Sequence, residues 1–123
     1  MNFNEDGIGN YNILENPNKP QMILTPAVPI VCLEYNPKDP HMLSSGMFSG
    51  QVCFWDARKG SDPIETSPME VSHRDPVHNV LWINSKSGTE FFSASSDGQV
   101  WSIERIRKYH KFYYEPLLHH YYY

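Results

Sequence analysis

No stretch of this chain runs to about eighteen consecutive apolar residues, so a bilayer-spanning helix is not expected. The triplet Asn-X-Ser/Thr is absent, which fits a chain that never meets the secretory glycosylation machinery. The opening Met1-Asn2-Phe3-Asn4-Glu5-Asp6 has no apolar segment and does not read as a signal peptide. Cysteine is scarce. Cys32 and Cys53 each lie inside an apolar run without metal-ligand spacing, which predicts reduced, buried thiols of a cytosolic protein. Positive charge is also short: a net charge of −4 argues against the broad cationic surface of a nucleic-acid binder.

Signatures of chemistry are missing too. Asp6-Gly7-Ile8-Gly9-Asn10 lacks the third glycine, the preceding strand and the following helix of a dinucleotide site. His73-Arg74-Asp75 shares three letters with a kinase catalytic loop, but the asparagine needed five residues after the aspartate is Val80. Ser93, Ser95 and Ser96 have no Gly-X-Ser-X-Gly elbow around them. His110, His119 and His120 crowd toward the end of the chain, where solvation is the ordinary state of histidine rather than metal ligation. No catalytic residue, metal site or cofactor is therefore expected, and neither nucleic acid nor membrane is an expected partner.

What is present is β-strand material. Hydrophobic residues at 40% and aromatics at 14% suffice for a core, and ten prolines with seven glycines are spread along the chain, as in a series of short strands. After an irregular lead-in over 1–10, strands are expected at Tyr11 to Glu15, Gln21 to Thr25, Ile30 to Tyr35, His41 to Met47 and Gln51 to Asp56. Ile64 to Val71 fits an edge strand interrupted by Pro68, because proline cannot donate to a ladder. Val77 to Ile83, Glu90 to Ser95 and Gln99 to Glu104 follow, with no clean fourth strand after them. The tail over 105–123 changes character, clustering Arg105, Arg107, Lys108 and Lys111 before tyrosines and histidines, and is expected to be irregular.

The organising feature is a repeat. Ser49-Gly50-Gln51-Val52-Cys53-Phe54-Trp55-Asp56 is a turn and a strand apolar on both faces, and Asp97-Gly98-Gln99-Val100-Trp101-Ser102-Ile103-Glu104 restates it forty-eight residues later. Such a period with short strands is the mark of a propeller built from four-stranded blades. A strand apolar on both faces needs cover on both sides, and adjacent blades supply it. The predicted fold is all-β: an incomplete propeller of two to three blades over 11–104, with too few blades to close a ring and apolar faces left open.

Trp55-Asp56 is the dipeptide after which the WD repeat is named, and His73, Ser93 or Ser95, and Asp97 sit where that family holds a buried hydrogen-bonded set. Resemblance to the family implies that the aspartate accepts from histidine, and that histidine connects to serine and then to tryptophan. Structural roles are thereby implied for His73, Ser93, Ser95, Asp97, Trp55 and Asp56. The segments Asn16-Pro17-Asn18-Lys19-Pro20, Cys32-Leu33-Glu34-Tyr35-Asn36-Pro37-Lys38-Asp39, Ser72-His73-Arg74-Asp75-Pro76-Val77 and Phe92-Ser93-Ala94-Ser95-Ser96-Asp97-Gly98 together resemble the propeller of a dynein intermediate chain of the axonemal outer-arm type. The first unit departs from the pattern, having Ser49 in place of the turn aspartate and no histidine ahead of Ile30; the second has Ile103-Glu104 in place of Trp-Asp.

The resemblance implies a non-catalytic scaffold that docks onto dynein heavy chain, associates with other intermediate and light chains, and reaches microtubules through the complex, in cytoplasm, cytoskeleton and ciliary axoneme. Charged loop residues Lys38, Asp39, Arg58, Lys59, Arg74 and Asp75 are the candidate partner contacts. The alternatives are a cytosolic WD-repeat adaptor of another complex, or a non-functional truncated product whose tail comes from splicing or an altered reading frame.

Overall fold

The computed structural model describes residues 11–16, 19–84, 88–106 and 111–117, with side chains described from Leu24 onward. The expected lead-in over 1–10 and the histidines His110, His119 and His120 lie outside the described residues. Ten strands are described. β1 (Tyr11–Asn16) and β2 (Lys19–Leu24) form an antiparallel hairpin. β3 (Ile30–Tyr35), β4 (Met42–Met47), β5 (Val52–Asp56) and β6 (Glu65–Thr66) make a four-stranded antiparallel sheet in chain order. β7 (Val77–Trp82), β8 (Glu90–Ser95), β9 (Val100–Ile106) and β10 (Lys111–Leu117) make a second. The all-β, partial-propeller expectation is met.

The second sheet restates the first in detail. β4 and β8 start forty-eight residues apart, as do β5 and β9, and Ser45 faces Cys53 as Ser93 faces Trp101. Both opening strands carry a register irregularity near their start, between Ile30 and Cys32 and between Val77 and Asn79. Gly50 and Gly98 hold φ of 91° and 82° in matching turns, a region that costs glycine least.

Burial follows the two-sided apolar pattern. Every residue of β4 and of β5 is buried. Along β5, Val52 and Phe54 join Met42, Val77, Val80, Trp82, Phe91, Trp101 and Ile103 in a cluster filling the seam between the sheets. Cys53 and Trp55 point the other way, onto Leu24, Leu43 and Met47, where the end of β2 supplies cover. Ring contacts thread the seam, edge-on for Phe54–Trp82 with centroids 5.7 Å apart and tilted for Trp82–Phe91 at 5.0 Å. Polar bonds close its margins. Trp82 Nε1 donates to the Glu34 carbonyl at 3.1 Å, and Asn36 Nδ2 to the Gly88 carbonyl at 2.6 Å. At Gly46 the sheets approach closely: a Cβ there would collide with the Val77 side chain and lie 2.7 Å from Cys32 Sγ.

Two sequence expectations need correction. Of the 64–71 segment only Glu65–Thr66 is strand, with backbone bonds from Ile64 to Phe54 and from Ser67 to Val52 on either side; after Pro68 the chain winds into a single 3-10 turn over Met69–Val71. The tail is not irregular throughout, because Lys111–Leu117 is the fourth strand of the second sheet, paired with β9 from Lys111↔Ile106 to Leu117↔Val100. The physical reason is alternation. Phe112 and Tyr114 pack on the seam cluster, while Lys111, Tyr113 and Glu115 face solvent, a period of two masked by the basic and tyrosine-rich composition. Phe112 meets Phe54 at a centroid distance of 5.1 Å, and the Tyr114 hydroxyl donates to Glu65 Oε2 at 2.8 Å, tying β10 to the first sheet.

Phe112→Ala should therefore lower the unfolding free energy by about 2–3 kcal/mol in urea titration; an unchanged midpoint would mean that the tail does not pack. Burial, followed by the bond to Glu65, pushes the Tyr114 hydroxyl well above the ordinary tyrosine value. The unfolded chain then loses its proton first, so the seam stabilisation from Tyr114 is complete below pH of about 10 and declines as pH rises beyond it. Tyr114→Phe should flatten that alkaline decline, measured as melting temperature against pH.

Candidate functional site: an inter-sheet lock and two loop faces

The connection between the sheets crosses the hairpin turn of each. His73, on the loop leading into β7, donates its backbone N–H to the Gly50 carbonyl at 2.9 Å. A Cβ on Gly50 would collide with the His73 carbonyl oxygen, so glycine is required there by proximity as well as by φ. The His73 ring lies between Asp97, with Nδ1 3.1 Å from both carboxylate oxygens, and Ser93, with Nε2 2.9 Å from Oγ. A carboxylate only accepts, so Nδ1 carries a proton toward Asp97, while Nε2 shares a hydrogen bond with the Ser93 hydroxyl. The His73 and Asp97 side chains are 1% and 5% exposed, which leaves no room for a substrate between them. Asp97 also accepts from the backbone N–H of Arg74 and of Gln99, each at 2.9 Å. Burial alone would raise its pKa; those two backbone donors and His73 outweigh it and hold the carboxyl below the usual range.

The remaining members of the implied set sit elsewhere. Trp55 Nε1 donates to Ser45 Oγ at 2.8 Å, inside the first sheet. Ser45 is the counterpart of Ser93, and Trp55 of Ile103, at the forty-eight-residue spacing. The four-member arrangement is thus divided: the tryptophan–serine half is in the first sheet, and the serine–histidine–aspartate half in the second. Sequence reasoning missed Ser45, although its distance from Ser93 marks it. Ser95 Oγ donates to the Pro76 carbonyl at 2.9 Å, pinning the entry loop rather than joining His73. Asp56 accepts from the Arg58 backbone N–H and from Arg58 Nε, both at 3.0 Å. Burial raises the Asp56 pKa, but the Arg58 bonds and charge prevail and lower it.

The six candidate partner contacts do not form one surface. In antiparallel sheets successive loops alternate ends. Lys38 and Asp39, between β3 and β4, share an end with Arg58 and Lys59, between β5 and β6; Arg58 Nη2 bridges to Asp39 at 3.0 Å. Arg74 and Asp75 lie at the opposite end, beside the turns at Gly50 and Gly98. Arg58 and Asp39 are engaged with each other, while Lys59, Arg74 and Asp75 are exposed. Among the described residues no three His, Cys, Asp or Glu side chains are grouped to hold a metal ion.

Removing the imidazole leaves the buried Ser93 hydroxyl without its partner and takes one of three donors from Asp97. His73→Ala should destabilise the fold by about 2–3 kcal/mol in chemical denaturation. Because the Asp97 pKa is depressed on folding, its contribution is present above the unfolded carboxyl value of about 4 and is lost as pH falls through the lower folded value. Asp97→Asn should shrink the acid-side loss of melting temperature; an identical acid profile would contradict the assignment.

Known proteins with this pattern can now be compared. Residues 10–108 match the family described as the dynein axonemal intermediate chain 3 WD40 domain. The ciliary dynein intermediate chain 3 of Heliocidaris crassispina is 58% identical over 95 residues, which are 76% of this chain and 16% of that protein. The human dynein axonemal intermediate chain 2 is 56% identical over 95 residues, again 76% of this chain and 16% of its own length. The 70 kDa intermediate chain of the Chlamydomonas reinhardtii flagellar outer arm is 37% identical over 97 residues, 77% of this chain and 17% of that one. The chain thus spans about a sixth of the length of these relatives. With the family match covering most of its residues and the paired sheets agreeing with it, the chain belongs to the axonemal dynein intermediate chain WD40 family.

Proposed function

We propose that this chain is a non-catalytic scaffold segment of an axonemal outer-arm dynein intermediate chain, docking onto dynein heavy chain in the motor complex that drives ciliary movement. The observation that carries the reading is the 58% identity to a ciliary dynein intermediate chain across both sheets, joined to a histidine sealed between Ser93 and Asp97. A His/Asp/Ser trio with its members buried and mutually bonded stabilises a turn; it does not meet a substrate. Side chains at the sheet ends then offer the docking groups, on a frame kept rigid by the seam. Lys59, Arg74 and Asp75 are the contacts favoured by exposure, and they divide between two ends. Other intermediate and light chains, and microtubules through the assembled arm, are the further partners of this reading, with the axoneme as the place of action.

A tagged full chain incubated with salt-extracted axonemal dynein should recover dynein heavy chain. Arg74→Glu with Asp75→Arg, or Lys59→Glu, should reduce recovery several-fold at the end that docks, with the fold intact by circular dichroism. Recovery of an unrelated assembly without heavy chain would favour a general WD-repeat adaptor instead.

A further inference from the structure

Where the outer strands of the two sheets approach each other, β6 and β10 leave a cleft of about 340 Å³ lined by Lys59, Ile64, Glu65, Arg105, Lys111 and Phe112. Three of the six are cations, in a chain whose net charge is −4. Arg105 is held by rings rather than by an acid: its guanidinium lies 5.5 Å from the Phe54 centroid and 5.9 Å from that of Phe112. The single carboxylate in the lining, Glu65, is occupied by the Tyr114 hydroxyl at 2.8 Å. Among the described residues no carboxylate forms a salt bridge with Lys59, Arg105 or Lys111. Positive charge therefore converges from both sheets on one concavity with an aromatic wall, three cations against the single carboxylate of Glu65.

We propose that this seam cleft is a docking site for an acidic, extended segment of a partner protein, with aspartate or glutamate carboxylates seated between Arg105, Lys111 and Lys59. A ring-stacked arginine is pre-organised, so its five donors reach a carboxylate at little entropic cost. The volume admits one or two acidic side chains. The match is electrostatic, and charge of one sign on one small cleft selects partners and speeds encounter more than it sets affinity. The site depends on β10, since Lys111 and Phe112 lie beyond residue 108, where the family match ends. Lys59 also stands among the proposed heavy-chain contacts, so Lys111→Glu alone, at a residue outside them, separates the two sites.

The test is fluorescence anisotropy of a labelled Glu/Asp-rich decapeptide titrated with the full-length chain at low salt. Binding is expected, weakening as salt rises, and falling by at least about tenfold when Lys59→Glu and Lys111→Glu are combined. Both side chains are exposed, so the variant should keep the wild-type circular dichroism spectrum and melting temperature. Arg74→Glu, at the other end of the sheets, should leave the affinity within about twofold. Equal weakening by Arg74→Glu, undiminished binding by the double variant, or tighter binding of a single-stranded oligonucleotide than of the peptide would each overturn the proposal.

Discussion

A β-sheet that is apolar on both faces cannot remain folded alone, and this constraint arranges the whole chain. β4 and β5 have no exposed side at all, so the first sheet requires neighbours on two flanks. The end of β2 covers one flank with Leu24, and the second sheet covers the other with Val77, Val80, Trp82 and Phe91. Close approach is what makes the arrangement specific. Gly46 admits Val77 where any side chain would collide, and Gly50 admits the His73 carbonyl. Transfer of apolar surface drives the sheets together, but these two contacts decide the distance and register at which they stop. Ser44 shows the cost of sealing the seam so thoroughly: its hydroxyl is fully buried and makes no hydrogen bond to any described residue.

The divided hydrogen-bond set follows from the same stacking. Each hairpin turn must be anchored to the loop that enters its sheet, and several side chains can serve. In the second sheet the anchor is Asp97 through His73 to Ser93. In the first, Ser49 bonds Gln51, which reaches the Ser67 carbonyl at 2.9 Å, while Ser67 Oγ accepts from the Val52 backbone N–H and shares a bond with Ser72. Thr25, at the spacing that corresponds to His73, donates to Asp62 instead. Charge-assisted bonds are stronger than hydroxyl ones, so the second turn is held more firmly than the first. Aromatic bulk compensates in the first sheet, where Trp55 is fully buried and bonded to Ser45, whereas its counterpart Ile103 has no polar atom to offer.

Much of this was legible in the residues. The spacing between Gly50 and Gly98, two-sided apolar strands and prolines at loop positions led to the correct strands, with Ile30–Tyr35 and Glu90–Ser95 matching at both ends. His73 with Asp97 was legible because histidine before a strand and aspartate in a turn have a physical reason to meet. Three features were not. Ser45 is the second of two adjacent serines, and only its partner distinguishes it. β10 carries Phe112 and Tyr114 at alternate positions, yet four neighbouring cations and many tyrosines make the segment read as a solvated tail. The third is the separation of charged loops onto opposite ends, which depends on strand order rather than on any local sequence signal.

The two sheets share a register but differ on the faces turned away from the hairpin. Met42 and Phe54 of the first sheet pack into the seam; at the same places the second sheet has Glu90 and Ser102, which bond to each other at 2.9 Å. Leu81 and Tyr113 remain exposed around them at 57% and 51%. A face with a carboxylate and a hydroxyl at its middle is hydrated at lower cost than one with methionine and phenylalanine there. The second sheet thus has an apolar face toward the seam and a mixed face away from it, and β10 reinforces the difference by directing Phe112 and Tyr114 inward. Cohesion is concentrated in one seam. The rim of that seam, where Arg105 lies across two rings and Tyr114 holds Glu65, is consequently where the chain combines rigidity with an excess of positive charge.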